Sequence, residues 1–464
     1  MIQNRLLRLV LLVSLIKLIG AAFWPVSGEE ALLWADGQSG APLAQADAFS
    51  AFIARLVEGT GPLQLLLLRL PGILATTIVL LPLVALAKML GRNWHAACST
   101  WLVLQFLPGV LLGSLGWNRE ALLLLVWVSA AAAGMAGARG SKSGATLLGW
   151  ISGLSFLIHP LAPLCAACSL AWPMEKDGST PAAPRWRVLQ GLLPAVLLVG
   201  LIDGEASLGR VLHFSSSLGI GLDISALGFF AIDGLLWTGF AFLFLIMRSW
   251  SELRRKQVQG ALTLRLAAVA PLIVLFYLGC QGPLDGRLAL GPLIVAFLPG
   301  LLSPDLPARL RRKLAQVSGA VAVGLMGIAL AATWIPALGV PLAELAPKCI
   351  ERSPAARPTT RAMLADLKTR VPEGTSIAGH DPLQGAMFSF LEPYFGPPID
   401  FERTRPLPAT VLLFLDRPDY LPATTGPYST AEMLPSLRVK VQGYEDQVLW
   451  IALARDPQLT SPEP

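Results

Sequence analysis

Long apolar stretches alternate with short polar loops over most of the chain. Runs such as Leu6–Trp24, Leu63–Leu86 and Ala315–Leu338 reach the roughly 20 apolar residues that a helix needs to cross a bilayer core. The pattern predicts an all-α polytopic membrane protein with about eleven transmembrane helices. They are expected near residues 6–24, 63–87, 94–116, 120–138, 144–158, 160–173, 188–202, 226–247, 262–280, 287–303 and 315–340.

The last part of the chain has a different pattern, with more polar residues and proline-rich joints. Thr360–Val371 has the periodicity of a helix. Four short stretches have the composition of strands, namely Thr375–Ala378, Thr410–Leu415, Leu437–Val441 and Gln447–Ala454. We therefore predict two domains, a membrane domain over residues 1–343 that includes a first outer loop at 25–62, and a small α/β domain over residues 344–464.

The distribution of positive charge predicts the orientation in the membrane. Only 14% of the residues are charged, whereas soluble domains carry about 25%. Basic residues fall on every second loop, as in Lys88 with Arg92, Arg139 with Lys142, and the cluster Arg309–Lys313. Because basic loops stay in the cytoplasm, the N-terminus is predicted there, and an odd number of spans places the C-terminal domain outside. The net charge of +6 does not indicate nucleic-acid binding, since it lies in these loops.

This orientation depends on a short hairpin between residues 144 and 173. Divided at His159–Pro160, the stretch yields two spans of only about 14 residues each, which is short for a crossing. A single span would place the Arg309–Lys313 cluster outside. Since proline interrupts helices, the sequence favours a break at this point.

Candidate chemistry lies in the predicted outer loops. Glu29 and Glu30 follow the first span and are flanked by Trp24 and Trp34. A partly desolvated carboxylate at a membrane boundary has the properties of a general base. The alternative is a solvated acidic loop that only helps to set the topology.

Other outer turns carry isolated polar residues. Arg119 either contacts a lipid phosphate or extends to the head groups, and Glu120 either caps a helix start or belongs to a site. Further candidates are His159, Arg210, His213 and Arg287, and each histidine is also consistent with a structural hydrogen-bonding role.

Cys165 and Cys168 lie in an apolar run and are interpreted as packing residues. The sequence contains no P-loop and no dinucleotide fingerprint, so soluble nucleotide chemistry is not indicated.

Four stretches, in order along residues 1–173, carry a resemblance to a known group. They are Gly28-Glu29-Glu30-Ala31-Leu32-Leu33-Trp34, Arg69-Leu70-Pro71, Glu120–Trp127 and Gly153–His159. Together they resemble the polyprenyl-phosphate-sugar-dependent glycosyltransferases of the GT-C superfold. Within that group, the likeness is to bacterial relatives of protein O-mannosyltransferases and of lipid A aminoarabinose transferases.

The resemblance implies a transferase in the inner membrane of a bacterium, with its C-terminal domain in the periplasm. The donor would be a sugar on a polyprenyl phosphate, and the acceptor a lipid, glycan or protein at the periplasmic face. The acid in the family's first loop, which deprotonates the acceptor, corresponds to Glu29. Attack on the anomeric carbon would invert it and expel the lipid phosphate. Cations stabilise charge on such a leaving group, for which Arg119, His159, Arg210 and Arg287 are the candidates.

The chain also departs from the family pattern. An acidic residue followed by His-Pro-Pro or Lys-Pro-Pro often ends the family's first loop, whereas Ala46-Asp47-Ala48-Phe49 stands here. Asp47 is a candidate for the shifted acid, and its positive or metal-binding partner is missing, so a divalent metal is not assigned. Glutamate also replaces aspartate at 29 and 120. Two alternatives stay open, a family member that binds polyprenyl lipid without turnover, and a transporter of lipid-linked sugar.

Overall fold

Two compact units make up the chain, and each is described by itself. The computed structural model describes residues 2–23, 30, 33–34, 48–57, 62–116, 119–174, 182–217, 224–238, 259–281, 286–302, 313, 316–317, 320, 323–324, 367–379, 394–396, 410–415, 430–439 and 447–455. The first unit joins Met1–Ala21 with Arg69–Leu325, and the second joins Ala22–Leu68 with Met326–Pro464. The division between residues 343 and 344 stays a prediction.

The first unit is built of helices. Its α-helices are α1 (Ile2–Phe23), α3 (Pro62–Ile78), α4 (Leu80–Met89), α5 (Trp94–Gln105), α6 (Pro108–Leu115), α7 (Arg119–Ala138), α8 (Lys142–Leu154), α9 (Trp186–Ser217), α10 (Ile224–Thr238), α11 (Gln259–Gly279) and α12 (Leu290–Leu302). The end of α1 and the beginning of α3 belong to the second unit. Three 3₁₀-helices lie at Ser155–Leu157, Ala162–Met174 and Gly286–Ala289. Helix α2 (Ala48–Arg55) belongs to the second unit.

The helices agree with the predicted membrane protein in its main features. Within the described residues, Leu63–Met89 and Arg119–Ala138 are each long and apolar enough to cross a membrane. Helices α5 and α6 would form a third such span, but they are bent by 83° at a break. Pro108 begins α6 and has no N–H to donate to the preceding turn, which explains the break. The sequence predicted one continuous span there, and the total of about eleven spans stays a prediction.

The predicted break at His159–Pro160 is confirmed. Helix α8 ends at Leu154, and the next long element begins at Ala162. That element is a 3₁₀-helix of 13 residues, which rises about 2.0 Å per residue and so reaches about 26 Å. An α-helix of this length would reach only about 20 Å. The segment is therefore longer than an α-helix of the same number of residues, and its role as a membrane span stays a prediction.

The sequence predicted an outer loop at residues 203–225, between the spans at 188–202 and 226–247, and this prediction is wrong for residues 203–217, which are helical. Helix α9 continues without interruption from Trp186 to Ser217, a total of 32 residues. It is therefore about 48 Å long, well beyond a hydrocarbon core of about 30 Å. Polarity marked the end of the apolar stretch, but a helix that has already formed gains one hydrogen bond for each residue it adds.

Small residues let α8 and α9 approach each other closely. A side-chain carbon on Gly149 would overlap the backbone oxygen of Val188, and one on Gly191 would overlap the backbone oxygen of Thr146. Gly149 and Gly153 are spaced as in the Gly-x-x-x-Gly motif, which brings helix backbones together in membranes. This contact holds the short hairpin that begins with α8 against the long helix α9.

Gly191→Leu is expected to disrupt this contact. The added side chain has to push the two backbones apart, at a cost of about 1–3 kcal/mol or more in the free energy of unfolding. Gly200→Leu is the matched control, because Gly200 lies on the same helix and a side-chain carbon added there would have no atom within 4 Å. Thermal unfolding of the purified proteins in detergent measures both. Equal midpoints for the two variants would contradict the contact.

A buried polar network joins α1, α3 and α5. Lys17 is 2% exposed, and its ammonium donates to the Gln105 side-chain oxygen. The Gln105 amide donates to the Thr76 backbone oxygen at 3.1 Å, and the Trp101 indole donates to the same oxygen at 2.9 Å. A charged group in an apolar span is costly unless it has such partners. The network therefore fixes how these three helices pack.

The second unit contains a four-stranded sheet. Its strands are β1 (Ser376–Gly379), β2 (Thr410–Leu415), β3 (Thr430–Val439) and β4 (Gln447–Arg455), arranged in the order β1-β2-β4-β3. Strand β1 pairs with β2 in parallel, and the other two pairings are antiparallel. All four predicted strands are confirmed, and the α/β domain as a whole stays a prediction.

Strand β3 begins earlier than predicted. The sequence placed its start at Leu437. In the structure β3 begins at Thr430 and passes Pro435 through an irregularity between Leu434 and Leu437. Proline is tolerated at such a bulge on an edge strand, where its missing N–H breaks no ladder hydrogen bond.

Candidate functional site

A buried carboxylate with two arginines is the clearest polar cluster in the first unit. The side chain of Glu120 is 2% exposed, and its Oε1 lies 3.5 Å from Arg287 Nε and 3.6 Å from Arg119 Nε. The Arg287 side chain is 9% exposed and that of Arg119 is 28% exposed. Two guanidinium groups beside one carboxylate give these three residues a net positive charge. The structure thus brings together three of the predicted site residues.

Local sequence explains how each member of the cluster is held. Helix α7 begins at Arg119, so the Glu120 carboxylate lies in its first turn, where the helix dipole favours a negative charge. The capping and site interpretations of Glu120 are therefore compatible. Arg287 lies on the 3₁₀ turn Gly286–Ala289, directly before α12.

Packing between α7 and α12 sets the distance between the two charged ends. Trp127 lies two turns after Glu120 on α7 and is 3% exposed. A side-chain carbon on Gly291 of α12 would overlap the Trp127 indole. Because Gly291 admits the indole, the helices approach closely near the point where Glu120 meets Arg287. Trp127 was recognised only as part of a motif, and its packing role became visible in the fold.

His159 lies in the turn between α8 and the long 3₁₀-helix. It is 7% exposed, and its Nδ1 accepts a hydrogen bond from the Leu161 backbone N–H at 3.1 Å. An accepting Nδ1 places the proton of a neutral imidazole on Nε2. This contact supports the structural interpretation of His159, as an organiser of the turn.

The first-loop acids belong to the second unit. Glu30 is completely buried and, with Leu33 and Trp34, has helical backbone geometry. Glu29 and Asp47 lie outside the described residues. Burial of Glu30 is consistent with the partial desolvation that was expected of a general base.

The sequence predicted that Arg210 and His213 lie in a loop, and this prediction is wrong. Both residues lie on the last turns of α9. Their backbone is helical, and their side chains are outside the described part of the chain. Among the described residues, no group of three or more His, Cys, Asp and Glu is placed to hold a metal ion. Cys165 and Cys168 are buried free thiols, with Cys165 Sγ 3.4 Å from Ser152 Oγ, in agreement with a packing role.

Arg69 and Lys17 are buried cations that were not among the predicted site residues. Arg69 is completely buried, and its Nη1 donates to the Ala21 backbone oxygen at 2.5 Å. Lys17 is the cation of the polar network described above. An ionisable residue inside an apolar span was the available signal for Lys17. The signal for Arg69 was its place in the Arg-Leu-Pro motif.

Sequence comparisons identify no relative. A scan with protein-family models matched none of them, and a search of curated proteins found no match either.

Comparison with solved structures does find similar folds. ArnT from Cupriavidus metallidurans bound to undecaprenyl phosphate matches with a TM-score of 0.59 and 13% identity, over 98% of this chain and 99% of that chain. The apo state of ArnT from Cupriavidus metallidurans matches with a TM-score of 0.59 and 12% identity, over 100% of both chains. At this identity the similarity concerns the fold. The resemblance noted in the sequence is thereby confirmed at that level: along its whole length the chain has a fold similar to that of ArnT, a lipid A aminoarabinose transferase of GT-C fold.

Proposed function

We propose that the protein is a membrane glycosyltransferase that uses a sugar on a polyprenyl phosphate. The observation that carries this proposal is the full-length similarity to ArnT in complex with undecaprenyl phosphate. Because both chains are covered almost completely, the likeness includes the membrane helices as well as the C-terminal part. A fold by itself does not define an activity, so the polar residues have to support the assignment.

The cluster of Glu120, Arg119 and Arg287 supports the proposed chemistry. When the bond between sugar and phosphate breaks, negative charge develops on the lipid phosphate. Guanidinium groups suit this charge, because they stay protonated and offer planar pairs of donors to phosphate oxygens. The role of Glu120 is to hold both arginines in place before the substrate arrives, which lowers the cost of reorganisation during the reaction.

The proton of the acceptor requires a base, for which Glu29 is proposed, with Glu30 as its neighbour. The base removes the proton as the acceptor oxygen attacks the anomeric carbon. The carbon–oxygen bond to the lipid phosphate breaks on the opposite side, and the configuration is inverted. Of the two acids, Glu30 is described and completely buried, which agrees with a carboxylate in a restricted environment.

The proposal extends to location and substrates. The protein is placed in the inner membrane of a bacterium, with the acceptor, a lipid, glycan or protein, reached from the periplasmic face. The long apolar helices and the loop charges support this assignment. The cluster of Arg119, Glu120 and Arg287 is proposed to contact the phosphate and not the sugar, so experiments have to identify the sugar.

Transport of a lipid-linked sugar is the second candidate. The 83° break between α5 and α6 favours it, because transporters often place broken helices at their binding sites. The transferase is preferred since the ion cluster suits a leaving phosphate and the sequence shows no internal repeat. The two functions differ in one respect, as only the transferase requires a base.

The test compares envelope lipids and glycans of the source bacterium by mass spectrometry. Deleting the gene is expected to remove one sugar modification, and the wild-type gene is expected to restore it. Restoration by Glu29→Gln as well would indicate transport or binding rather than transfer. An envelope that is the same with and without the expressed protein would overturn the proposed function.

A further inference from the structure

The end of α7 meets the beginnings of α8 and α9 within the first unit. The Gly137 carbonyl oxygen, in the last turn of α7, accepts a hydrogen bond from the Ala183 N–H at 2.9 Å. A side-chain carbon on Gly144, in the first turn of α8, would come within 2.7 Å of the Ala136 side chain. The residues that lead into α9 and the start of α8 therefore both lie against the end of α7.

Helices α8 and α9 run side by side in the same direction from this meeting point. A side-chain carbon on Gly149 of α8 would overlap the backbone oxygen of Val188 of α9. One turn further along α8, a side-chain carbon on Gly153 would overlap the side chain of Ala195. Because the contacts move forward along both helices, the two helices are parallel and their first turns are neighbours.

Three basic residues lie at these first turns, and we call them the basic patch. Lys142 is the first residue of α8. Arg185 and Arg187 stand on either side of Trp186, which is the first residue of α9. Lys142 and Arg185 are exposed, and Arg187 is half-buried. The fold thus brings together cations that are more than 40 residues apart in the chain.

The described stretches around the basic patch carry no negative side chain. Residues 133–146 and 182–192 contain no Asp or Glu, and residues 175–181 lie outside the described residues. The dipole of a helix disfavours cations at its N-terminal end, so the patch lies where positive charge is least favourable. A bound anion would offset both the charge of the side chains and that of the helix ends.

An apolar stripe on α9 continues from the basic patch. It consists of the exposed side chains Trp186, Leu189, Leu193 and Leu197, whose spacing of three or four residues places them on one face of the helix. The Arg187 guanidinium carbon lies 4.3 Å from the centre of the Trp186 ring. Tryptophan at the end of an apolar stripe is typical of the level of the lipid head groups. Cations beside such a stripe suit a ligand with an anionic head and apolar chains.

We propose that the basic patch and the apolar stripe together bind an anionic phospholipid of the surrounding bilayer. The guanidinium groups of Arg185 and Arg187 offer paired donors to phosphate oxygens, and the Lys142 ammonium adds a compact charge. The acyl chains lie along the stripe on α9. A free phosphate ion would leave this stripe uncovered. The site is independent of the proposed sugar transfer, and the loop charges predict that it faces the cytoplasm.

Lipid retention by the full-length protein tests the site. The protein is purified in a mild detergent and titrated with dioleoylphosphatidylglycerol, and native mass spectrometry measures the fraction that retains a lipid. Retention is expected to be at least about 10-fold stronger than that of dioleoylphosphatidylcholine, since each basic residue near a head group contributes about 5-fold in affinity for negative lipids. Equal retention of the two lipids by the wild-type protein would overturn the proposal.

Two double variants separate a defined site from attraction by net charge. Lys142→Gln combined with Arg185→Gln removes two exposed cations of the patch and is expected to weaken retention of dioleoylphosphatidylglycerol about 10–30-fold. The matched control, Lys88→Gln combined with Arg92→Gln, removes the same charge from the turn between α4 and α5. It is expected to change retention less than about 2-fold, because distant exposed charges are screened. Equal weakening in both variants would overturn a defined site.

The soluble head group separates a lipid site from a general anion site. Glycerophosphoglycerol carries the same phosphodiester as dioleoylphosphatidylglycerol but has no acyl chains. It is expected to displace the bound lipid only when present in more than about 100-fold excess, because it does not cover the apolar stripe. Displacement by an equal concentration of glycerophosphoglycerol would contradict a contribution from α9 and with it the proposal.

Discussion

Glu29→Gln is expected to abolish sugar transfer while the protein still inserts into the membrane. Glutamine has nearly the shape of glutamate but does not accept the acceptor's proton. Loss of a general base reduces a rate about 10²–10⁴-fold. The measurement is the amount of modified acceptor per amount of protein in cells that lack the chromosomal gene. Circular dichroism and the elution profile in detergent establish that the variant is folded.

The neighbouring acids provide the controls for this prediction. Glu58→Gln removes a carboxylate from the same predicted outer loop and is expected to retain transfer. Glu30→Gln separates the two adjacent acids, since Glu30 is completely buried and its loss is expected to affect stability as well as rate. Full activity of Glu29→Gln with no activity of Glu30→Gln would move the role of base to Glu30. Full activity of both variants would contradict a base in this segment.

Arg287→Met is expected to impair both stability and transfer. Its guanidinium lies 3.5 Å from the Glu120 carboxylate, and both side chains are buried. Removing one partner leaves a buried charge that has lost a close cation, which costs about 3–5 kcal/mol in the free energy of unfolding. Loss of a charge that stabilises the leaving phosphate reduces the rate about 10²–10³-fold. Thermal unfolding and transfer assays measure the two effects separately.

Two further variants identify the origin of these effects. Glu120→Gln combined with Arg287→Met removes both charges, so this double variant is expected to be more stable than Arg287→Met alone. Its transfer activity is expected to stay low, since the Arg287 guanidinium is still absent.

Arg119→Met is the matched control for the burial of the arginine, because Arg119 contacts the same oxygen at 3.6 Å but is 28% exposed. Because solvent screens the partly exposed Arg119 more than the buried Arg287, its loss is expected to cost less stability, and a loss in Arg119→Met as large as that in Arg287→Met would contradict the importance of burial.

Several features of the fold followed from local patterns. Apolar length predicted the spans that became α3 with α4, and α7, because the bilayer imposes a minimum length on each crossing. Proline at position 160 predicted the break after α8, and the composition of four short stretches predicted the four strands. These signals are local, so neighbouring residues alone carry the information.

Other features depended on residues far apart in the chain. Arg210 and His213 were placed in a loop because polarity was taken to end a helix, whereas α9 continues through them. The long 3₁₀ geometry of Ala162–Met174 was also not predicted. Hydropathy reports where a segment prefers apolar surroundings, and it does not report whether the backbone stays helical beyond them.

In the candidate site, too, local sequence predicted some features and contacts between distant residues decided others. Arg119, Glu120 and Arg287 were each selected as isolated polar residues in predicted outer turns, on the basis of loop charge and motif likeness. Their meeting required Trp127 to pack into the space left by Gly291, a contact that no local pattern encodes. Arg69 was visible only as part of a motif, and its hydrogen bond to the Ala21 backbone oxygen appeared only in the fold.

By itself, the sequence indicated a polytopic membrane protein with β-strands in its C-terminal part, and these properties follow from composition and periodicity, which act over a few turns of chain. The outer location of the acidic first loop stays a prediction, and the GT-C resemblance came from four short motifs. The tertiary structure alone decided which charges are buried together and which backbone oxygen Arg69 contacts. Such pairings depend on how helices pack, because burial makes an ion pair or a hydrogen bond important only after distant segments have excluded the lipid and water around it.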